Sequence, residues 1–551
     1  MRHIAIVAIA SLLALSQTAI AKTVKTNSFV SKAWVADNGD GTYKNPIIYA
    51  DYSDPDVCRV GNDFYMTASS FDCVPGLPIL HSTDLVNWEL VNYALKRHPQ
   101  EEDFSKPQRG NGVWAPSIRY HDGEFRIYWG DPDRGFFMVK AKDPEGEWSK
   151  PVCVKEIKGL IDCCPFWDDN GDVYLSHGYA GSRAGVKSIL GLLQMNKEGD
   201  ATVGDTRIIY DGHTSQPTIE GTKMYKRNGY YYIFAPAGGV ATGWQLVLRS
   251  KDIWGPYEEK IVLHQGKTNV NGPHQGAWVN TKKGEDWFIH FQDVGTCGRI
   301  IHLEPMKWVN DWPVIGNDDD GDGCGEPVMT YTKPKTKKSA ITTPVDDDEF
   351  SDNKIGLQWQ WMGNPGPTWS FADKKNGVLR LYSQYDEIAH NLLYVNSFLG
   401  QKTPAKDFTV TTRLSVYPDK RYTGEKFLFG IMGEDYSMIC IENTAEGLKI
   451  SQNTCINARK KGTETAIDVN ALPSHNVVIR MTMTDGQNCN FSYSTDDGAT
   501  FKAIGTKFKA KEGRWIGAKI GYIASRPKKS NDGGYMDIDW IRYSKPKKNN
   551  K

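Results

Sequence analysis

Between residues 45 and 325 the apolar residues do not recur at a helical spacing. They come in short runs rich in aromatic and β-branched side chains, each opened by a Gly, Asn or Asp turn. The unit appears as GNDFYMT from Gly61, DGEFRIYW from Asp122, NGDVYLS from Asn170, NGYYYIF from Asn228 and KGEDWFIHF from Lys283. The starts lie about 50 to 60 residues apart, a period near that of propeller blades. A second echo follows three of them: HSTDLVNWELV from His81, AKDPEGEWSKPV from Ala141 and RSKDIWGPYE from Arg249. Each sets an Asp shortly before a Trp, as an outer strand and its turn would. The pattern predicts an all-β fold that begins as a five-bladed β-propeller.

Near Val328 the character changes. TKPKTKKSAITTPVDDDE, from Thr332 to Glu349, is rich in Lys, Thr and Pro and has no apolar face, so it reads as a linker. Beyond it strands alternate again: GVLRLYS, FTVTTRLSVY, KFLFGIMG, YSMICIEN, NVVIRMTMT and MDIDWIRYS, separated by Gly, Asp and Asn turns. They predict a β-sandwich of the jelly-roll, concanavalin-like kind. The chain divides into a propeller over 22–330, a linker over 331–347, a sandwich over 348–545 and a disordered tail over 546–551. The sandwich is expected to buttress the propeller.

Residues 1–21 read as a secretory signal. Arg2 and His3 precede an apolar run from Ile4 to Leu15, and Ala19-Ile20-Ala21 offers a small-x-small cleavage site. The run is too short to span a bilayer. The mature chain is therefore expected to be exported, to the periplasm or beyond, with no membrane contact after cleavage.

Charge narrows the partners. Lys plus Arg and Asp plus Glu both total 66 among 551 residues, without the basic surplus of a nucleic-acid binder. Seventeen Trp and 26 Tyr instead supply flat platforms for weakly charged ligands such as sugars. The ten cysteines are scattered and no pair has CxxC spacing, which argues against a zinc site.

In a propeller, residues near the start of successive blades converge on one mouth of the central channel. Asp54 precedes the first aromatic strand, Asp162 the third and Glu220 the fourth, all in apolar or aromatic company. Asp168-Asp169-Asn170-Gly171, by contrast, reads as a solvated turn. Three converging acids suit glycoside hydrolysis. An inverting enzyme needs one carboxylic acid to protonate the leaving oxygen and one carboxylate, about 6.5–9.5 Å away, to activate water. A third acid could tune the first.

The motifs YSDPDVCRVGNDFYMTASSF, GVWAPSIRY, LIDCCPFWDDNGDVYLSHG, IEGTKMYKRNGYYYIFAPAGG, NGPHQGAWV and FQDVGTCGRIIHLEPMKWVNDWPVIG resemble glycoside hydrolase family 43. The resemblance covers about 45 to 328. The C-terminal part resembles, through weaker motifs, the β-sandwich often appended to this family's exo-acting pentosidases. It implies Asp54 as general base, Asp162 as pKa modulator and Glu220 as general acid. Asp51 lies outside the motif, and Asp56 is expected to face away as a structural acid. Where many relatives have Pro-Ser after the modulator, this chain has Cys163-Cys164-Pro165.

The same resemblance makes Phe71 and Trp114 walls around the terminal sugar; blade packing is the alternative for both. It makes Arg299 a ligand of the sugar hydroxyls; a surface ion pair is the alternative. His274 resembles the histidine near the channel axis where some relatives hold calcium. Calcium prefers oxygen ligands, so one His plus waters would be an unusual shell. NDDDGDGCGE from Asn317 starts like an EF-hand loop, but Met329 stands where its last ligand should be. DDDEF from Asp346 and MDIDW from Met536 could bring acids together in the sandwich as a structural calcium site.

The expected activity is inverting, exo-acting release of terminal α-L-arabinofuranose from plant hemicellulose, xyloglucan or arabinoxylan, with no required cofactor. β-D-Xylosidase is the runner-up. The rival of another class is a sugar-binding protein without catalysis, against which the three intact acids speak.

Overall fold

The computed structural model describes residues 28–386 and 390–547. The expected signal segment 1–21 lies outside the described residues, as do residues 548–551 of the tail. Among the described residues no helix is long and apolar enough to cross a membrane.

Five four-stranded antiparallel sheets form the propeller. Blade 1 comprises Asp56–Val60, Asp63–Thr67, Gly76–Ser82 and Glu89–Leu95. Blade 2 comprises Trp114–His121, Glu124–Asp131, Gly135–Ala141 and Val152–Glu156. Blade 3 comprises Leu160–Trp167, Val173–Tyr179, Ile189–Met195 and Thr202–Asp211. Blade 4 comprises Lys223–Arg227, Tyr230–Ala237, Trp244–Ser250 and Glu258–Leu263. Blade 5 comprises His274–Asn280, Asp286–Asp293, Arg299–Val309 and Trp312–Ile315. Each repeated turn seen in the sequence joins the first strand of its blade to the second. The Asp-to-Trp echoes join third strands to fourth.

The aromatic runs are apolar on both faces because each blade is sandwiched between two others. Side chains alternate across a strand. Ile127 and Trp129 therefore pack toward Leu77 and Ile79 of blade 1. Tyr128, between them, packs toward Val173 and Leu175 of blade 3. In blade 4, Ile233 joins Leu190 of blade 3, while Tyr232 and Phe234 join Phe288 of blade 5. A last cluster unites Phe64 and Met66 of blade 1 with Ile289 and Phe291 of blade 5. The core is thus a ring of inter-blade layers, each fully buried side chain contributing about 1.5–3 kcal/mol. The ring is closed by the segment ahead of blade 1. Ile47 N–H donates to Ile301 O at 2.7 Å, and Tyr52 N–H to Arg299 O at 3.0 Å.

The C-terminal sandwich stacks a seven-stranded sheet on a nine-stranded one. The larger sheet does not end within its own domain. Its strand Gln360–Met362 pairs with Cys73–Val74 of the propeller, which counts among the nine strands and forms the sheet's edge. Ala33 and Cys297 of the propeller half are buried in the sandwich core, with Trp34 and Tyr49 packed against it. The segment expected as a linker runs along the propeller. Thr330–Thr332 pairs with Thr42–Lys44, Lys333 bridges Asp37 and Asp84, and Thr342 Oγ1 donates to Glu89.

Two local readings are corrected. Asp168 is not a solvated turn acid: its side chain is buried against Lys226 and accepts from Tyr231 Oη at 2.6 Å. The sandwich acids do not form one cluster either. Asp537 pairs with Arg380, Asp539 with Arg413 and Glu349 with Arg542, while Asp346 accepts from Ser31. Arg413 also pairs with Asp497, and no group of three of these carboxylates collects as metal-type ligands there among the described residues.

Candidate active site

The first strand of every blade enters the channel mouth through a residue in the left-handed region. These are Asp54 (φ 56°), Ala115 (φ 37°), Asp162 (φ 59°), Gly221 (φ 66°) and Gln275 (φ 40°). A non-glycine there costs about 1–2 kcal/mol, and such strain gathers at functional sites. The ladder slips just after it in blades 2, 3 and 5. That slip directs side chains at the channel mouth instead of into the sheet. Asp54 and Asp162 occupy this position itself, and Glu220 stands one residue before it. Gly221 is required there, because a Cβ would stand 2.5 Å from Gln275 Cγ.

Every hydrogen-bond partner of the Asp54 carboxylate is a donor. Ser53 Oγ and Ser69 Oγ donate to Oδ2 at 2.7 and 2.5 Å, and Arg299 Nη1 donates to Oδ1 at 3.3 Å. Ser69 Oγ in turn accepts from Ala115 N–H at 2.7 Å, which fixes blade 1 against blade 2. Asp162 is held by Gly221 N–H at 2.8 Å. Burial pushes the Asp162 carboxyl up to about 8, reinforced by the charges of Glu220 and then Asp54. Glu220 is the more open of this pair. Its side chain keeps 28% exposure whereas Asp162 is buried, and Oε1 lies 3.2 Å from His274 Nε2. Beneath the acids sits Lys223, fully buried, its Nζ donating to Pro116 O and Ser117 Oγ at 2.9 and 2.8 Å. Its charge favours ionisation of Asp162 and so partly offsets the effect of burial.

The acids line a pocket of about 760 Å³, open to solvent, together with Phe71, Trp114, Tyr179 and Arg299. Phe71 is buried and exchanges backbone hydrogen bonds with Val113, so it packs blades and faces the pocket at once. Trp114 presents a half-buried ring, tied by Nε1 to Gly110 O at 2.8 Å. Arg299 is buried rather than paired at the surface. Nη1 donates to Ser53 and Asp54, and Nε makes no hydrogen bond but lies 3.7 Å from Asp293 Oδ2. Its guanidinium lies over Phe291 at 4.8 Å.

One wall comes from the other domain. Trp515, in the sandwich, lines the pocket, its ring 6.2 Å from Trp114 and nearly perpendicular to it. The sandwich therefore does more than buttress. The sequence holds a faint signal for this wall: a Trp preceded by Gly and Arg in EGRWIG, outside any strand pattern. Ser53, Ser69 and Lys223, which set the acids in place, carried no motif of their own.

His274 is buried at the start of blade 5, with Nε2 engaged by Glu220 and Nδ1 unpartnered. It belongs to no group of three metal-type ligands among the described residues; those groups are His290, His302 and Glu304, and Asp318, Asp320 and Asp322. Calcium takes six to eight oxygens. One imidazole nitrogen does not fit that requirement, so His274 is best described as the partner of Glu220. Asp56 points away from the pocket, its carboxylate paired with Arg119 Nη1 at 2.6 Å. Cys163 and Cys164 are buried, and Arg119 Nη2 donates to Cys164 Sγ at 2.9 Å.

A propeller mouth bearing three acids, walled by aromatics and a buried arginine, has the parts of a carbohydrate-cleaving site. Residues 43–313 match the glycosyl hydrolases family 43 model, and residues 347–544 match the β-xylosidase C-terminal concanavalin A-like domain. A Xylanibacter ruminicola protein provisionally named a β-xylosidase is 37% identical over 90% of this chain and 88% of its own. A non-reducing end α-L-arabinofuranosidase of Bacteroides ovatus is 30% identical over 91% of this chain and 94% of its own. The solved Bacteroides ovatus xyloglucan PUL GH43B superposes with a TM-score of 0.77 at 26% identity, covering 92% of this chain and 100% of that one. The chain belongs to glycosyl hydrolase family 43 and is a glycoside hydrolase.

Proposed function

We propose that the enzyme removes a single terminal pentose from the non-reducing end of a hemicellulose oligosaccharide, with inversion. The observation that carries this reading is the position of Trp515. It sets a wall from the second domain against Trp114 at the pocket mouth, which favours a chain end over a chain interior. In this reading Asp54 takes a proton from water as that oxygen attacks the anomeric carbon. Glu220 gives its proton to the departing glycosidic oxygen as the old bond breaks. Asp162, buried and protonated near neutrality, keeps the Asp162–Glu220 pair supplied with one proton. Phe71 and Trp114 pack on the sugar, and Arg299 donates to its hydroxyls.

β-D-Xylose is the sugar we place first, because the 37% identical relative carries a β-xylosidase name. α-L-Arabinofuranose is the second reading, favoured by the name of the Bacteroides ovatus relative. The N-terminal stretch ending in Ala19-Ile20-Ala21 supports export, with the periplasm as the working compartment. The test is initial rates on the aryl β-D-xyloside and the aryl α-L-arabinofuranoside, for wild type and Asp54→Asn side by side. Faster cleavage of the xyloside, lost in the variant, is expected. Faster cleavage of the arabinoside would promote the second reading. NMR of the first-formed sugar should show the inverted anomer, and retention would overturn the mechanism.

A further inference from the structure

The opening acid of YADYSDPD, Asp51, lies outside the catalytic motif, yet it is buried with both carboxylate oxygens engaged. Oδ1 accepts from Arg299 N–H at 2.9 Å. Oδ2 accepts from Gly517 N–H at 3.0 Å. The first amide belongs to the arginine in the sugar pocket. The second belongs to the sandwich, two residues after Trp515. One side chain thus fixes the backbone on both sides of the pocket mouth.

The surroundings allow little slack. Gly298 has φ 75°, and a Cβ there would stand 2.5 Å from Asp51 Oδ1 and 2.6 Å from Gly517 N. A Cβ on Gly517 would stand 2.8 Å from Cys297 C and Gly298 N. Two glycines therefore let the propeller and sandwich backbones meet where Asp51 reaches both. Ala518 N–H adds a bond to Thr296 O at 2.8 Å. The stretch between Lys502–Lys509 and Lys519–Arg526, which carries Trp515, lies in no strand of its own. Its register on the propeller is set by these contacts. Asp51 also stands three residues before Asp54, whose carboxylate meets the Arg299 side chain. The segment 51–54 holds Arg299 by backbone and by side chain.

We propose that Asp51 is the positioning residue that sets the Trp515 loop of the sandwich against Arg299, and so closes the pocket around the terminal sugar. This rests on the reading of the pocket as a pentose site. Asparagine keeps the shape but offers one acceptor oxygen, so one of the two amides loses its partner.

The test compares Asp51→Asn, Trp515→Ala and the double variant on the aryl glycoside that wild type cleaves faster. Asp51→Asn should raise KM by up to about tenfold, no more than Trp515→Ala does, with a smaller change in kcat. The double variant should be less impaired than the product of the two single effects, because Asp51 acts through Trp515. Multiplicative effects, or an unchanged KM, would overturn the proposal. Hydrogen exchange gives a readout independent of activity. Peptides covering 511–517 should exchange faster in Asp51→Asn while Tyr436–Thr444 is unchanged, and equal exchange over 511–517 would overturn it. If Asp51→Asn does not fold, Gly517→Ala tests the same contact from the sandwich side, with the same rise in KM expected. If wild type cleaves neither glycoside, the pentosidase reading falls, and the exchange experiment still decides the role of Asp51.

Discussion

Trp114 and Trp515 stand edge to face with ring centroids 6.2 Å apart, across 401 residues of chain and two domains. Edge-to-face pairs of this kind are worth about 0.5–1.5 kcal/mol beyond the area they bury. Trp515 remains more than one-third exposed, so its truncation should cost little stability. In the proposed mode of binding the sugar loses a wall, however. Trp515→Ala should raise KM about tenfold, the equivalent of ~1.4 kcal/mol. It should also release cleavage within longer oligosaccharides, read by chromatography of the products. Wild-type KM and pure single-sugar release in the variant would show that the wall lies elsewhere.

Glu220 donates its proton in the proposed mechanism, so its importance depends on how badly the leaving group needs one. Glu220→Gln keeps an oxygen at hydrogen-bonding distance from His274 but has no acidic proton. On an unactivated disaccharide the rate should fall about 10²–10⁴-fold. On a dinitrophenyl glycoside, whose leaving group departs as an anion, the loss should be small. Equal losses on both substrates would remove Glu220 from the acid role.

Asp54 is surrounded by donors, and the serines among them orient the carboxylate. Asp54→Asn should lower kcat about 10³-fold on every substrate, while isothermal titration finds the free sugar still bound. Ser69→Ala removes the contact at 2.5 Å and should show a milder loss in kcat alone. Retained turnover in Asp54→Asn would move the base to another residue.

Asp162 makes two pH predictions, one for activity and one for stability. Its folded carboxyl is raised from 3.8 to about 8, so its proton is held below about pH 8 and lost above it. kcat/KM on unactivated substrates should therefore fall on the alkaline side through about pH 8. For stability the direction is the same but the window is wider. Between 3.8 and about 8 the folded state keeps a proton that the unfolded state has released, so stability falls as pH rises through that window. Asp162→Asn should be inactive yet more stable than wild type by roughly 1–3 kcal/mol at pH 8. The gain should vanish at pH 4, as read by thermal melts at both pH values. A variant less stable at pH 8 would show that the carboxyl carries no such strain.

The propeller was legible because its strands are buried on both faces. Phe64, Ile127 and Ile233 each face a neighbouring blade, and that demand writes aromatic and β-branched runs into the sequence. The outer strand Thr202–Asp211 faces solvent along most of its length and left no such mark. In the sandwich, Gly447–Cys455 buries Ser451, Gln452 and Asn453 through hydrogen bonds, so its polar sequence does not read as a strand. Asp54, Asp162 and Glu220 stood out by their place before each blade's hairpin. Trp515, Asp51 and Lys223 act through contacts between distant segments, which no local pattern encodes. Asp168 misled for the same reason: its turn sequence is ordinary, but Lys226 and Tyr231 arrive from the next blade.

The shared edge between the domains predicts that the propeller will not work alone. Cys73–Val74 pairs with Gln360–Met362, and Trp34, Tyr49 and Cys297 pack on the sandwich core. A chain ending at residue 345 would expose that apolar surface, a liability for aggregation. It would also lose Trp515 and the Gly517 partner of Asp51. Because Asp51 acts through Trp515 the two losses do not multiply, and kcat/KM should fall about tenfold, the equivalent of ~1.4 kcal/mol, even for the fraction that stays soluble. Co-expression with residues 346–551 as a separate chain should restore solubility and activity together. A soluble propeller with full activity would show that the sandwich is dispensable and that the wall at Trp515 does not shape the pocket.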